Sequence, residues 1–229
     1  MNWMEIDWQP LWLTFRLAAL TSVLLMLIGI PLASWLAYSQ SRFKPVWETL
    51  VSMPLVLPPS VLGFYLLLAL SPQHAFGQWL EQYFHLKLVF SFPGLVLGSV
   101  IFSLPFMVQP VQSGLQNLPA SLLEASRTLG KSDVFSLFHI LLPNIRPALL
   151  TGIVLSFAHT VGEFGVVLMI GGNIPGVTRV ASIAIYDEVE SLHYQAAHVY
   201  AAILFIVSFV ILLSVYIINR RRNQMVFAR

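Results

Sequence analysis

Long uncharged apolar runs, broken by short polar intervals, dominate this chain. Leu17 to Tyr38, Thr49 to Leu70 and Val199 to Ile218 contain no Asp, Glu, Lys or Arg. Each matches the roughly 20 residues that a helix needs to cross a bilayer. A fourth uncharged run, Leu88 to Leu123, is too long for one crossing and must contain a turn or loop. Pro147 to Gly162 starts a further crossing, Glu163 interrupts it, and Phe164 to Gly172 completes it. The pattern predicts an all-α integral membrane protein with about five transmembrane helices, read as a single membrane domain over residues 1–229.

The first run is read as a crossing, not a cleaved leader. Met1 to Pro10 carries Glu5 and Asp7 where a signal peptide is basic, and the apolar run exceeds the usual 7–15-residue core. Composition agrees: 57% of residues are hydrophobic and 10% charged, against about a quarter charged in soluble domains. The absence of cysteine excludes disulfides, thiolate metal sites and cysteine catalysis. The small positive excess is no nucleic-acid signal, because the cations sit at the borders of the apolar runs.

Those borders orient the chain, since cytoplasmic loops collect Lys and Arg. Arg42 and Lys44 follow the first run; Arg127, Lys131 and Arg146 fall in the long polar interval; Arg220, Arg221, Arg222 and Arg229 end the chain. The opposite side holds Lys87 and Arg179, Arg16 near the start of the first run, and the acidic Glu5, Asp7, Glu81, Asp187, Glu188 and Glu190. The N-terminus is therefore expected outside and the C-terminus in the cytoplasm. Five crossings without paired halves also argue against an internally duplicated carrier, so one chain reads as half of a dimer.

The polar interval has structure of its own. Asn117, with Pro119 in the first turn, is expected to start a short helix. Leu122, Leu123, Ser126 and Leu129 recur at helical spacing on one face, and Gly130 suits the left-handed position that ends a helix. Ser132 is expected to cap a second short helix carrying Val134, Phe135 and Phe138, which Pro143 stops. An amphipathic connector lying on the membrane is the plain alternative to a docking knob for a cytoplasmic partner. Gly130-Lys131-Ser132 resembles the end of a phosphate-binding loop, but Ala125 stands where that motif needs glycine.

Glu124-Ala125-Ser126, then Gly130, then Ile140-Leu141-Leu142-Pro143 resembles the EAA signature of bacterial ABC importer permeases. Ser126 replaces the usual alanine, small for small. Pro54 to Gly63, Gly162-Glu163-Phe164-Gly165 and Gly172-Asn173-Ile174-Pro175-Gly176 look like the molybdate/tungstate branch of that family, with the sulfate/thiosulfate branch as nearest competitor. The resemblance implies a type I importer permease core whose segment 117–143 is a coupling helix seated in a groove of the ATP-hydrolysing subunit. Leu122, Leu123, Glu124, Ala125, Ser126, Leu129, Gly130 and Pro143 would carry that coupling.

Within the membrane, Pro58 and Pro59 fall about 16 Å along a crossing that starts near Trp47. Adjacent prolines force a break or kink, tolerated only against protein or a water-filled cavity. The choice lies between a packing kink and a pathway-lining one, in which Ser60 and Gly63 offer a hydroxyl and bare backbone to a passing anion. Glu163, the acidic residue inside an apolar run, is a functional candidate by position, expected near the outer end of its crossing. His159, four residues earlier, is expected to pair with it and, with Gly162 and Gly165, to shape an outer gate. The resembled family often carries arginine at the His159 position, so the chain departs there.

His74, His85, His139, His193 and His198 lack metal-ligand spacing, and neither His-Glu-x-x-His nor Gly-x-Ser-x-Gly occurs. An intramembrane enzyme is therefore disfavoured; a membrane assembly protein stays open. The resemblance implies a bacterial inner-membrane transport subunit that is not itself an enzyme. Its implied partners are a second copy of the chain, cytoplasmic ATP-binding subunits that hold the ATP and Mg, membrane lipid, and an external oxyanion-binding protein touching Gly171 to Glu190 and Gln73 to Lys87. No cofactor on this chain and no nucleic acid are implied.

Overall fold

Unbroken apolar runs fold as long helices, and the runs that carry proline pairs or mid-run polar residues fold as shorter, bent ones. The computed structural model describes residues 7–227, and at 215, 216 and 218–227 the backbone alone. The leader residue Glu5, Arg229 and the side chains of Arg220, Arg221 and Arg222 lie outside the described residues. The described chain is helical: α1 (Gln9–Tyr38), α2 (Lys44–Val56), α3 (Pro59–Leu70), α4 (Ala75–Phe84), α5 (Phe92–Gln116), α6 (Ala120–Thr128), α7 (Asp133–Asn144), α8 (Arg146–Val161), α9 (Gly165–Gly171), α10 (Ala181–Glu190) and α11 (Tyr194–Phe227). Three of these, α1, α5 and Tyr194–Ser214 of α11, are long and apolar enough to cross a membrane, and the bent pairs α2/α3 and α7/α8 raise the number to five.

The core is a layer of α1, α5 and α8. α1 and α5 run side by side in one direction: Arg16 lies over the Phe92 ring at one end, and the Tyr38 hydroxyl reaches Leu115 O at the other. α8 runs back along α5, with Gly114 meeting Ala148, Gly152 meeting Met107, and Ser103 meeting Thr160. Leu17, Leu25, Leu36, Leu95, Met107, Val108, Val111 and Leu115 are sealed between these helices. α11 leaves most of its surface open, with Phe205, Ile206 and Phe209 exposed, as suits a face turned to lipid.

The break expected at Pro58 and Pro59, within the run from Thr49 to Leu70, is an elbow. Leu57 and Pro58 each precede a proline and are pushed to extended backbone, because the following ring clashes with helical geometry. The two helices turn 113° relative to each other. With 13 and 12 residues, they are about 20 and 18 Å long, so neither spans a bilayer core of about 30 Å. The polar starting turn of α2, from Lys44, also lies before the uncharged run.

Four local expectations are corrected. Asn117 does not open α6 but ends α5, its N–H bonded to Leu115 O and Ser113 O, and Pro119 occupies the N-cap of α6. Pro143 does not stop α7. A π-helical turn at Leu137–Leu141, closed by Leu142 N–H to Leu137 O, carries the helix through the missing proline N–H to Asn144, and the chain then turns 88° at Ile145. Glu163 does not share a helix with His159, since α8 ends two residues before it and α9 starts two residues after it. Gly63 is buried against α9, where a Cβ would meet Val166 Cα at 3.0 Å and Met169 Cβ at 2.8 Å. Its missing side chain allows helices to approach rather than exposing backbone.

Gly63→Val should therefore push α3 off α9, an overpacking of about 1–3 kcal/mol. The purified protein's Tm in detergent should fall. Gly162→Ala, whose added Cβ would meet nothing closer than 3.8 Å, should leave Tm unchanged.

Candidate functional site

The break between α8 and α9 is the centre of the site. Gly162 ends α8, and the Glu163 and Phe164 backbone leaves helical geometry before Gly165 starts α9. Such a break frees backbone groups that lipid cannot satisfy. Here Glu163 N–H bonds Thr160 O, and Glu163 O accepts from the Ser182 hydroxyl at 2.6 Å. Pro59 sits against Gly165, where a Cβ would meet Pro59 Cβ at 2.7 Å, so the elbow of α2/α3 abuts this same break.

Between the two breaks lies a cavity of about 650 Å³. Six residues singled out from the sequence line it: Pro59, Ser60, His159, Gly162, Glu163 and Gly165; the structure adds Phe102, Ala158 and Phe164. Pro58 forms the elbow and Gly63 packs away, so neither lines it. The lining offers hydroxyl, imidazole and backbone groups, with no lysine or arginine among them.

The expected His159–Glu163 pair does not form. α8 ends at Val161, so the one-turn register that would align residues 159 and 163 is lost. His159 Nδ1 instead lies 3.0 Å from Ser103 Oγ, with its ring stacked on Phe106 at 4.0 Å. Glu163 is 4% exposed and neither carboxylate oxygen has a hydrogen-bond partner. Ser99 of α5 is also buried with an unpartnered hydroxyl. Among the described residues no three His, Cys, Asp or Glu side chains gather at metal-holding spacing.

Sequence reasoning missed a polar stripe between α2 and α5. Gln112 Nε2 donates to Glu48 Oε1 at 2.6 Å and Gln109 Nε2 to Ser52 Oγ at 3.1 Å, and Glu48 and Ser52 line a second cavity of about 570 Å³. The signal was present: Glu48 and Ser52 stand four apart, Gln109 and Gln112 three apart, each spacing marking one helix face.

A second assembly forms at the Tyr38 end of the core. Leu123 packs on the core, and Ser126 is buried with its hydroxyl 2.6 Å from Ser136 Oγ. A small residue at position 126 thus lets α6 and α7 touch. Gly130 has φ +71°, the left-handed turn expected of it, and the Ser132 hydroxyl caps α7 by accepting from Phe135 N–H. Arg127 clamps the turn through two bonds to Asp133, at 3.0 and 3.3 Å, which hold its guanidinium pKa above the usual value. Leu129 is not on the packed face with Leu122, Leu123 and Ser126. It follows the last helical residue and is 75% exposed, and Val134 and Phe138 of α7 are exposed as well.

Comparison with known proteins follows this geometry. The family described as binding-protein-dependent transport system inner membrane component matches residues 29–224. The molybdenum transport system permease protein ModB of Azotobacter vinelandii is 46% identical over 213 residues, covering 93% of this chain and 94% of that one. The sulfate transport system permease protein CysT of Salmonella typhimurium is 31% identical over 213 residues, covering 93% and 76%. A chain of the MetNI methionine ABC transporter superposes with a TM-score of 0.72 at 16% identity, covering 95% and 96%, a likeness of fold.

Glu163→Gln keeps the shape of a buried carboxyl that has no hydrogen-bond partner and removes any cost of ionising it away from water. It should leave Tm unchanged or raise it. Ser182→Ala, which strips the Glu163 carbonyl of its donor, should lower stability by about 1–3 kcal/mol, read as a lower Tm in the same detergent.

Proposed function

The chain belongs to the family of binding-protein-dependent transport system inner membrane components, and we propose that it is the permease subunit of an ATP-driven importer of molybdate or tungstate. The observation that carries the cargo is the 46% identity, nearly end to end, with a molybdenum permease, against 31–33% for sulfate permeases. The cavity fits that cargo. Its lining carries no permanently charged lysine or arginine, whose charge-assisted bonds to a dianion are roughly twice as strong as neutral ones.

Two copies of the chain would enclose the path, with the elbow of α2/α3 and the α8/α9 break facing it. The apolar knob of Leu129, Val134 and Phe138 would seat in a groove on each cytoplasmic ATPase subunit, which binds the ATP and Mg. ATP binding and hydrolysis would then switch the pair between two rigid-body states. The segment 117–143 acts as lever, because α7 runs through its π-turn into the 88° bend before α8. The N-terminus would lie outside and the C-terminus in the cytoplasm of the bacterial inner membrane. An external oxyanion-binding protein would deliver cargo to the face bearing α4 and α10. The chain performs no chemistry of its own in this reading.

Initial uptake of radiolabelled molybdate by the reconstituted importer should be blocked by excess tungstate and little affected by sulfate; equal block by sulfate would reassign the cargo. Leu129→Asp with Val134→Asp should abolish co-purification of the ATPase subunit while leaving the permease's Tm unchanged. Retained association would remove the docking assignment.

A further inference from the structure

Ser103 on α5 and His159 and Thr160 on α8 form a hydrogen-bonded chain in the cavity wall. His159 Nδ1 is 3.0 Å from Ser103 Oγ, Ser103 Oγ is 3.0 Å from Thr160 Oγ1, and Thr160 Oγ1 is 2.9 Å from Ser156 O. A carbonyl only accepts, so the Thr160 proton points at Ser156. Thr160 must then accept from Ser103, which uses the one proton that Ser103 has. Ser103 is left able only to accept from the imidazole, so His159 carries its proton on Nδ1. Three hydrogen bonds in series assign the tautomer.

That assignment decides what the cavity meets. Phe106 at 4.0 Å and Phe102 at 4.7 Å hold the ring in place. His159 lines the cavity, and its Nε2 has no hydrogen-bond partner among the described residues and is not sealed from solvent. In the neutral ring Nε2 is a bare lone pair, which repels an anion. Moving the proton from Nδ1 to Nε2 would set two hydroxyl lone pairs against each other and forfeit a bond of the chain. Adding a second proton disturbs nothing, because the chain already receives Nδ1–H, and it turns Nε2 into a charged donor. The groups facing the ring are few: Phe102, Ser103 and Phe106 from α5, Pro59 and Ser60 across the cavity from α3, and Glu163, the one other titratable group in the lining.

We propose that His159 is the oxyanion's contact in this cavity, engaging it through Nε2–H after taking up one proton, so that anion and proton occupy the site together. The proton comes from water on entry, and the ring returns to neutral when the anion leaves. Ser103 is a positioning residue: it denies the neutral ring a donor at Nε2. The assignment rests on the oxyanion reading of the cargo.

The test is ATP-driven molybdate uptake by the complete importer in proteoliposomes, measured at subsaturating molybdate from pH 6 to pH 8.5 and normalised to the complex's ATPase rate. Wild-type uptake should fall toward tenfold per pH unit at the alkaline end, as expected for one proton bound per anion. Ser103→Ala frees the neutral ring to hold its proton on Nε2, and His159→Gln supplies an amide donor at every pH; both should flatten the profile. His159→Phe keeps the stack without a donor and should lose uptake at least tenfold throughout, with ATPase association retained. Wild-type rates in His159→Phe, or a Ser103→Ala profile that superimposes on the wild type, would overturn the proposal. If the wild-type importer takes up no molybdate at any pH, the cargo reading itself fails and takes this one with it.

Discussion

A broken helix in lipid must find partners for its freed backbone groups within the protein, and this fold depends on meeting that demand with hydroxyls. At the α8/α9 break Ser182 serves Glu163 O. At the end of α9 the buried Thr178 donates to Gly171 O and accepts from Ile174 N–H. At the start of α10 Thr14, reaching over from α1, accepts from Ala181 N–H at 2.8 Å. Each is a short side chain that satisfies backbone without bringing charge into the membrane. The breaks are what make a cavity possible at all, since continuous helices would close on one another and leave no room for a ligand.

Much of this was legible because proline and glycine act locally. Leu57 and Pro58, each followed by a proline, were steered out of helical geometry, and Gly130 stood where only a residue tolerant of positive φ ends a helix. Ser132 capped as expected for the same reason. Expectations that needed helix register to persist fared worse. The His159–Glu163 pair presumed four continuous helical residues, and α8 stops after two of them. Leu129 was placed on one helix face with Leu122, Leu123 and Ser126 by spacing, yet the helix ends before it. Asn117 was taken as a start when the longer α5 had already claimed it as an end.

Long-range pairings carried too weak a signal. Whether Gly63 met solvent or a neighbour depended on α9, about a hundred residues away, and no pattern within α3 encodes that. The short helices α4 and α10 lie in stretches to which no helix was assigned, because uncharged-run counting sees crossings and passes over helices of ten residues. Glu48 escaped notice for a related reason. It falls just before the uncharged run, so it was counted as border, although its helix continues unbroken into the apolar stretch.

Biogenesis inherits the elbow as well. A nascent helix is committed to the bilayer on its own hydrophobic length, and neither half of the α2/α3 pair has enough of it to stay there alone. They are held instead by packing, α2 against α5 and α3 against α9. Proline at 58 and 59 therefore ties the seating of one cavity wall to neighbours that lie later in the chain.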